Sequence, residues 1–173
     1  ARLLYERDQL WKRLGERPAK RLRELERNSK LVQQRDDLSV ELCALYNQTG
    51  QHDKAAKLVA SRQFQPWEGG EGGPLGQHVR AHLALGRVAL TKRNFAVARI
   101  HFELALTSPR NLSEAKHLLA NQSDIHYWLG CALVGLNETQ SAREHWLAAA
   151  NFKGDFQEMS VRVFSEMTYF STL

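Results

Sequence analysis

The chain has 173 residues, of which 43% are hydrophobic and 25% are charged, values typical of a soluble globular protein. No apolar run approaches the ~20 residues that span a bilayer, so the sequence predicts no transmembrane helix and no membrane partner. The net charge of +5 lies within residues 1–30, which hold ten Lys or Arg and five Asp or Glu, because the remaining residues hold fourteen of each.

The basic segment at residues 1–30 predicts a solvated helix face, since its cations alternate with Glu and Leu as on an amphipathic helix. An acidic partner surface is one alternative, and nucleic-acid binding is another. The latter would need aromatic side chains interleaved with the cations for base stacking, and only Tyr5 and Trp11 meet that requirement. We therefore do not expect a nucleic-acid partner.

Helix boundaries follow from capping and breaking residues in chain order. Pro18 suits the first position of a helix, Gly50 suits the left-handed residue that ends one, and Asn94 and Asn137 suit N-caps. These signals divide the chain into predicted hairpins at about 2–27, 30–62, 77–107 and 123–151, followed by an unpaired helix at 156–173. The fold class predicted is all-α, with the whole of residues 1–173 forming one domain.

Two insertions interrupt these hairpins. The first, residues 63–76, holds five of the eleven glycines together with Trp67, and the second covers residues 108–122, where Ser113 is a candidate helix cap. Insertions in a repeat array emerge on one face, often the binding face. We therefore expect the two to touch each other and Trp67 to be at least half buried against the helix of His78 and His82 or the 113–120 segment. The carboxylates of Glu68 and Glu71 argue against a phosphate-binding loop.

Small and aromatic residues recur at fixed spacings. Leu85-Gly86 and Leu129-Gly130 begin two identical series, and a weaker series begins at Leu42-Cys43. The two full series continue, respectively, with Ala89, Ala98, Phe102, Ala105 and with Leu133, Ala142, Trp146, Ala149. This pattern resembles the tetratricopeptide repeat (TPR), which implies antiparallel helix pairs stacked into a right-handed superhelix.

The segments QRDDLSVELCALYNQTG, PWEGGEG and HYWLG, with the repeats around them, resemble one bacterial family. Its members join an N-terminal domain of unknown function, reminiscent of carbohydrate-active enzymes, to C-terminal TPR-like repeats. The resemblance implies that this chain is the repeat region and packs on that N-terminal domain. It also leaves open an accessory role, in which the PWEGGEG loop and nearby histidines complete that domain's active site.

Histidines cluster on the predicted first helices. His78 and His82 share one helix face, and His126 stands four residues before Gly130 as His82 does before Gly86. A structural zinc site would need a third close ligand on another helix, so we expect these rings to bridge helices by hydrogen bonds, with no metal and no cofactor. The residues predicted to form an interaction surface are Trp67, Glu68, His78, Arg80, His82, Arg87, His117, Asp124, His126 and Tyr127.

Catalysis finds no support in the chain itself. Cys43 and Cys131 lie where small residues pack, and the sequence pairs neither with a base. Two buried free thiols favour a reducing compartment, so we expect a cytoplasmic protein. The sequence predicts a non-catalytic protein-interaction or scaffold module.

Residues 156–173 carry an apolar stripe at three- and four-residue steps, from Phe156 through Val163 to Phe170. Arrays of this kind end in a helix with a polar outer face, and this segment is too apolar for that role. We expect the chain to be a fragment whose last helix exposes apolar residues, Phe164 and Met167 among them, for further repeats or another molecule to cover.

Overall fold

The computed structural model describes residues 1–65, 67–116 and 120–152, and over these ranges the chain is all-helical with no β-strand. The elements are α1 (Arg2–Arg13), α2 (Pro18–Arg27), α3 (Ser29–Val32), α4 (Asp36–Gln48), α5 (His52–Ala60), α6 (Gly73–Thr91), α7 (Phe95–Leu106), a 3₁₀ turn (Arg110–Leu112), α8 (Ser123–Gly135) and α9 (Thr139–Ala150). The expected helix at 156–173 lies outside the described residues. No helix in the described ranges is both long and apolar enough to cross a membrane.

Consecutive helices pack as hairpins that stack in chain order. The pairs α4–α5, α6–α7 and α8–α9 each pack together, α6 packs on both helices of the preceding hairpin, and α8 does the same. Helix α2 packs on α4, and α1 is joined to both by ion pairs and by the buried Leu4. Each first helix therefore covers the hairpin before it.

One turn geometry closes the hairpins α4–α5, α6–α7 and α8–α9 and also joins α1 to α2. The residue after the C-cap is left-handed in each turn, at Gly15, Gly50, Arg93 and Asn137, with φ between 56° and 76°. The next amide then donates to the carbonyl five residues earlier, as from Asn94 to Ala89 at 2.9 Å. This is the Schellman arrangement, which satisfies carbonyls that the helix end leaves open.

Several predicted boundaries are confirmed and others are wrong. Pro18 occupies the first turn of α2, and the Asn94 side chain accepts from the Val97 amide. Asn137 does not cap α9, because it takes the left-handed position that Asn tolerates and Glu138 becomes the N-cap. Ser113 likewise is left-handed at the end of the 3₁₀ turn and opens no helix.

Two element lengths also differ from expectation. The helix predicted from residue 30 is broken at residues 33–35, since Arg35 takes an extended conformation as the N-cap of α4. Helix α6 begins at Gly73 rather than near 77, because Gly72 adopts the left-handed conformation and Pro74 suits the first turn. The glycine-rich insertion therefore includes the first turn of α6.

Three apolar clusters run along the stack. The first joins α1, α2, α3 and α4 around Leu25 and Leu38, and the second joins α4, α5 and the two insertions around Cys43 and Phe64. The third lies between α6–α7 and α8–α9 around Phe102 and Leu129. All of these side chains are almost completely buried, so each hairpin junction contributes its own core.

Candidate functional site

The glycine and aromatic positions of the repeat meet in space. A β-carbon at Gly86 would overlap the Phe102 ring, and one at Gly130 would overlap the Trp146 ring. In both hairpins the aromatic side chain of the second helix therefore fills a notch in the first helix that only glycine leaves open. The spacing alone predicted these residues, and the structure brings them into contact.

Histidines bridge the same two hairpins. The Nδ1 atoms of His82 and His101 lie 3.0 Å apart, and those of His126 and His145 lie 2.8 Å apart. One ring of each pair must donate a proton and the other must accept it. The bridging of helices by His82 and His126 is confirmed, whereas their partners were missed, although both pairs share a spacing of 19 residues that marks them in the sequence.

Burial disfavours the charged form of the paired histidines His82, His101 and His126. It lowers the pKa of His82 to about 4, with the neighbouring rings of His78 and His101 adding to the shift. Burial also lowers the pKa of His101 and of His126. Burial therefore favours the neutral form of His82, His101 and His126.

His78 lies four residues before His82 on α6, with the two ring centroids 4.6 Å apart, and is 5% exposed. Its Nε2 atom donates to the Leu104 carbonyl at 2.8 Å, and burial lowers its pKa. The nearby Lys116 donates to the Ala105 carbonyl, and burial lowers its pKa to about 8. Among the described residues, no group of three or more His, Cys, Asp or Glu is arranged to hold a metal ion. His117 lies outside them.

The two insertions dock on each other, as expected. The amide of Phe64 donates to the Asn111 carbonyl at 2.8 Å, and the Asn111 side chain donates back to the carbonyls of Val59 and Arg62. Phe64 and Leu112 are both buried beneath this contact. The reciprocal hydrogen bonds tie the end of α5 to the 3₁₀ turn of the second insertion.

Glu114, which belongs to the second insertion, caps the N-terminus of α6. Its carboxylate accepts from the Gly72 amide at 2.8 Å and from the Leu75 amide at 2.6 Å, at the N-terminus of α6. These amides have no partner within the helix, and the helix dipole favours a carboxylate there. Burial nevertheless raises the pKa of Glu114. No local sequence signal predicted this cap, because the capping residue lies some forty positions away.

Trp67 is at least half buried, as expected, and its ring lies over Gly70 of its own loop, where a β-carbon would overlap it. The predicted packing of Trp67 against the helix of His78 and His82 or against residues 113–120 stays a prediction. Glu68 is exposed beside Trp67. The glycine at position 70 thus has a specific role, since it allows the indole to fold back onto its own loop. No described contact brings Trp67 or Glu68 into one site with the histidine pairs.

The remaining predicted residues lie on exposed faces of α6 and α8. Arg80, Arg87, Asp124 and Tyr127 are all exposed. The Arg87 guanidinium lies 5.0 Å from the centre of the Trp128 ring, close enough for a cation–π interaction between the two helices. Cations on one helix and a carboxylate on the next give this surface both signs of charge.

An open aromatic pocket of about 500 Å³ adjoins this surface. Its walls come from α8 and α9, and the indole of Trp146 donates to the backbone carbonyl of Tyr127 at 3.1 Å. The residues that line it are Ser123, Asp124, Tyr127, Trp128, Trp146, Ala149 and Ala150. Asp124 and Tyr127 are thus brought together at its edge.

The basic first segment is not merely a solvated face. Arg21 is 3% exposed and binds both carboxylate oxygens of Asp8, at 3.0 and 2.7 Å, and the carboxylate of Glu41 at 2.6 Å. Burial alone would raise the pKa of Glu41, but the charge of Lys12 and the hydrogen bonds from Arg21 and Lys12 lower it. This buried cluster joins α1, α2 and α4, and sequence reasoning missed it.

The two cysteines are unpaired. Cys43 is buried, and burial raises the pKa of its thiol to about 12, which disfavours the nucleophilic thiolate. Cys131 is only partly buried, which differs from the expectation that both thiols are enclosed.

No family model matches the chain, and no solved structure matches it.

Proposed function

We propose that the chain is a non-catalytic protein-interaction module, built as a right-handed TPR-like array of helical hairpins. The observation that carries this proposal is the repeated construction of successive hairpins, with the same turn, the same glycine notch and the same histidine pair. Units that repeat one packing geometry build an extended surface rather than a closed pocket. Such surfaces serve chiefly to bind other proteins.

The surface proposed to bind a partner consists of the exposed residues of the first helices, with Arg80 and Arg87 on α6 and Asp124 and Tyr127 on α8. In a TPR-like array these positions line the concave side. Charges of both signs around an exposed aromatic side chain favour recognition of a mixed polar protein surface. The unpaired cysteines support a reducing, cytoplasmic location.

The partner we propose is the N-terminal domain of the same bacterial polypeptide, as the resemblance in the sequence implies. A photo-crosslinking amino acid placed at Arg80 or Arg87, in the polypeptide as the cell makes it, tests this directly. Matched controls carry the same amino acid at Lys57 of α5 and Arg143 of α9, which are exposed on second helices.

Crosslinks from positions 80 and 87, but not from 57 and 143, to residues outside this chain or to a second protein are the expected result. Mass spectrometry of the crosslinked peptides identifies which of these partners is bound. Equal crosslinking at all four positions, or none at 80 and 87, would contradict the proposed surface.

A further inference from the structure

The outer face of α7 carries an exposed apolar stripe. Val97, Ile100 and Leu104 lie three and four residues apart, which places them on one side of the helix, and they are 38%, 53% and 37% exposed. The other side of α7, with Ala98 and Phe102, is buried in the core between the hairpins. The α7 stripe, as we call the three exposed residues, is therefore apolar surface that the described residues leave open to solvent, and such surface marks a place where another molecule binds.

The packing of the repeats does not account for this stripe. The buried alanines Ala55, Ala98 and Ala142 align the three second helices with one another. The residues at the positions of the stripe are Lys54, Lys57 and Ser61 on α5 and Ser141, Glu144 and Ala148 on α9. Five of these six are polar or charged, so the hairpin fold accepts polar side chains there. Since α7 lies in the middle of the described array, an uncovered end does not explain the stripe either.

Opposite charges line one flank of the stripe. Arg99 and Glu103 lie one turn apart, and the Nε atom of Arg99 donates to the Glu103 carboxylate at 2.7 Å. The Nη1 atom of Arg99 donates to Glu138 at 2.9 Å, whereas its Nη2 atom makes no hydrogen bond with a described residue. The side chains of Arg99 and Glu103 are 40% and 48% exposed. This flank therefore offers a free donor and an accessible carboxylate four residues apart.

The stripe and its charged flank are symmetric about the middle of α7. Val97 and Leu104 lie equally far from the midpoint between residues 100 and 101, and Arg99 and Glu103 lie equally far from residue 101. At a twofold axis residue i of one copy contacts residue j of the other, and j contacts i. Reversing the direction of the second helix also brings the same flanks together. An antiparallel second copy of α7 thus places Val97 against Leu104 and Arg99 against Glu103, twice each, around a central pair of Ile100 side chains.

We propose that the α7 stripe is a self-association surface, at which two copies of the chain pair their α7 helices antiparallel about a twofold axis near Ile100. The Arg99 guanidinium of each copy bonds the Glu103 carboxylate of the other through its free Nη2 atom, which makes the surface complementary to itself. One helix face is smaller than a standard interface of roughly 20–30 residues a side, so the association is weak and reversible. This inference concerns a second helix and is independent of the partner proposed for the first helices.

Sedimentation velocity of the whole chain, from low to high micromolar concentration, tests the inference. Three proteins are compared: the unaltered chain, Ile100→Lys, and the matched control Glu144→Lys at the equivalent exposed position of α9. Lys57 occupies that position on α5, so the fold accepts lysine there. We expect the unaltered chain and the control to dimerise as the concentration rises, and Ile100→Lys to raise the dissociation constant on the order of tenfold or more. Circular dichroism shows whether the three proteins fold alike.

Disulfide formation tests the antiparallel geometry and does not depend on the stability of Ile100→Lys. Every protein in this test carries Cys131→Ala, so the buried Cys43 is the one natural thiol left. Val97→Cys and Leu104→Cys are oxidised separately and as a mixture, and mass spectrometry identifies the products. We expect the mixed disulfide between the two variants to exceed either like disulfide several-fold, because only the mixed pair brings the two β-carbons within bonding reach.

Three results would overturn the proposal. A chain that stays monomeric at every concentration would assign the stripe to another occupant, whether a different protein, a lipid surface or a part of this chain outside the described residues. Dimerisation that Ile100→Lys leaves unchanged would place the contact between copies elsewhere. A preference of Val97→Cys for itself over Leu104→Cys would contradict the antiparallel pairing.

Discussion

His126 and His145 meet across the two helices of one hairpin, with their Nδ1 atoms 2.8 Å apart, and His82 and His101 repeat this contact at 3.0 Å in the hairpin before it. An N–H···N bond between two imidazoles holds when the pair carries at most one extra proton. A second proton leaves two donors facing each other and places two positive charges within about 3 Å. Each pair is therefore a contact between helices that depends on pH.

We expect acid to destabilise the fold through these pairs. The pKa of His82 is lowered to about 4, and those of His101 and His126 are lowered too, so the unfolded chain binds more protons than the folded one. The stability present above the ordinary His pKa near 6.5 is thus lost as pH falls towards 4. Other charged groups near the pairs are Asp53 beside His101 and Lys116 beside His126.

The measurement is the urea midpoint of unfolding between pH 7.5 and 4.5, for the unaltered chain and for a variant with His101→Gln and His145→Gln. Glutamine donates a hydrogen bond and does not titrate in this range. The variant is expected to lose less stability over that interval than the unaltered chain. An identical loss in both proteins would show that the pairs do not govern the acid response.

The glycine notches predict opposite effects for two glycines of the same helix. Gly86→Ala forces a methyl group into the Phe102 ring and is expected to destabilise the fold by about 1–3 kcal/mol. Gly76→Ala, three turns away in α6, meets nothing within 4 Å and is expected to stabilise the helix by about 0.5–1 kcal/mol. Chemical denaturation measures both, and the prediction fails if Gly86→Ala costs no more than Gly76→Ala.

The buried ion cluster predicts a large effect for one arginine among ten basic residues of the first segment. Arg21→Ala leaves the buried carboxylate of Asp8 without its cation and leaves Glu41 with Lys12 alone, which costs about 3–5 kcal/mol. Arg23→Ala, on the exposed side of the same helix, is expected to change stability by less than about 0.5 kcal/mol. Thermal unfolding distinguishes them, and comparable melting temperatures for the two variants would refute the structural role of the cluster.

The contact between the insertions predicts a local effect of Glu114→Gln. The amide group keeps the size of the side chain but offers only one oxygen to the Gly72 and Leu75 amides, so the first turn of α6 should open more often. Hydrogen exchange at these amides is expected to accelerate about tenfold, corresponding to roughly 1.4 kcal/mol. Glu68→Gln, an exposed change in the same region, serves as the control and should leave the exchange unaltered.

Local patterns were sufficient to predict most of the helices and to single out Gly86 and Phe102, because their spacing reflects contacts within one hairpin. The notch that Gly86 opens for the Phe102 ring was not predicted. Features made by distant residues were not predictable in this way. The pairing of Glu114 with the start of α6 and of Arg21 with Glu41 depends on how hairpins stack, and neither leaves a periodic signal. Asn137 was assigned to the wrong role because asparagine suits both an N-cap and a left-handed turn residue.

We propose above all that successive hairpins are copies related by one repeated rotation and translation. A crystal structure of the chain measures it directly, as the rotation and translation that superpose α4–α5 on α6–α7 and then α6–α7 on α8–α9. Two similar right-handed rotations, with Phe102 and Trp146 in equivalent notches, are the predicted result. Rotations that differ in hand, or an α8–α9 hairpin that packs away from α7, would contradict the array and with it the proposed binding surface.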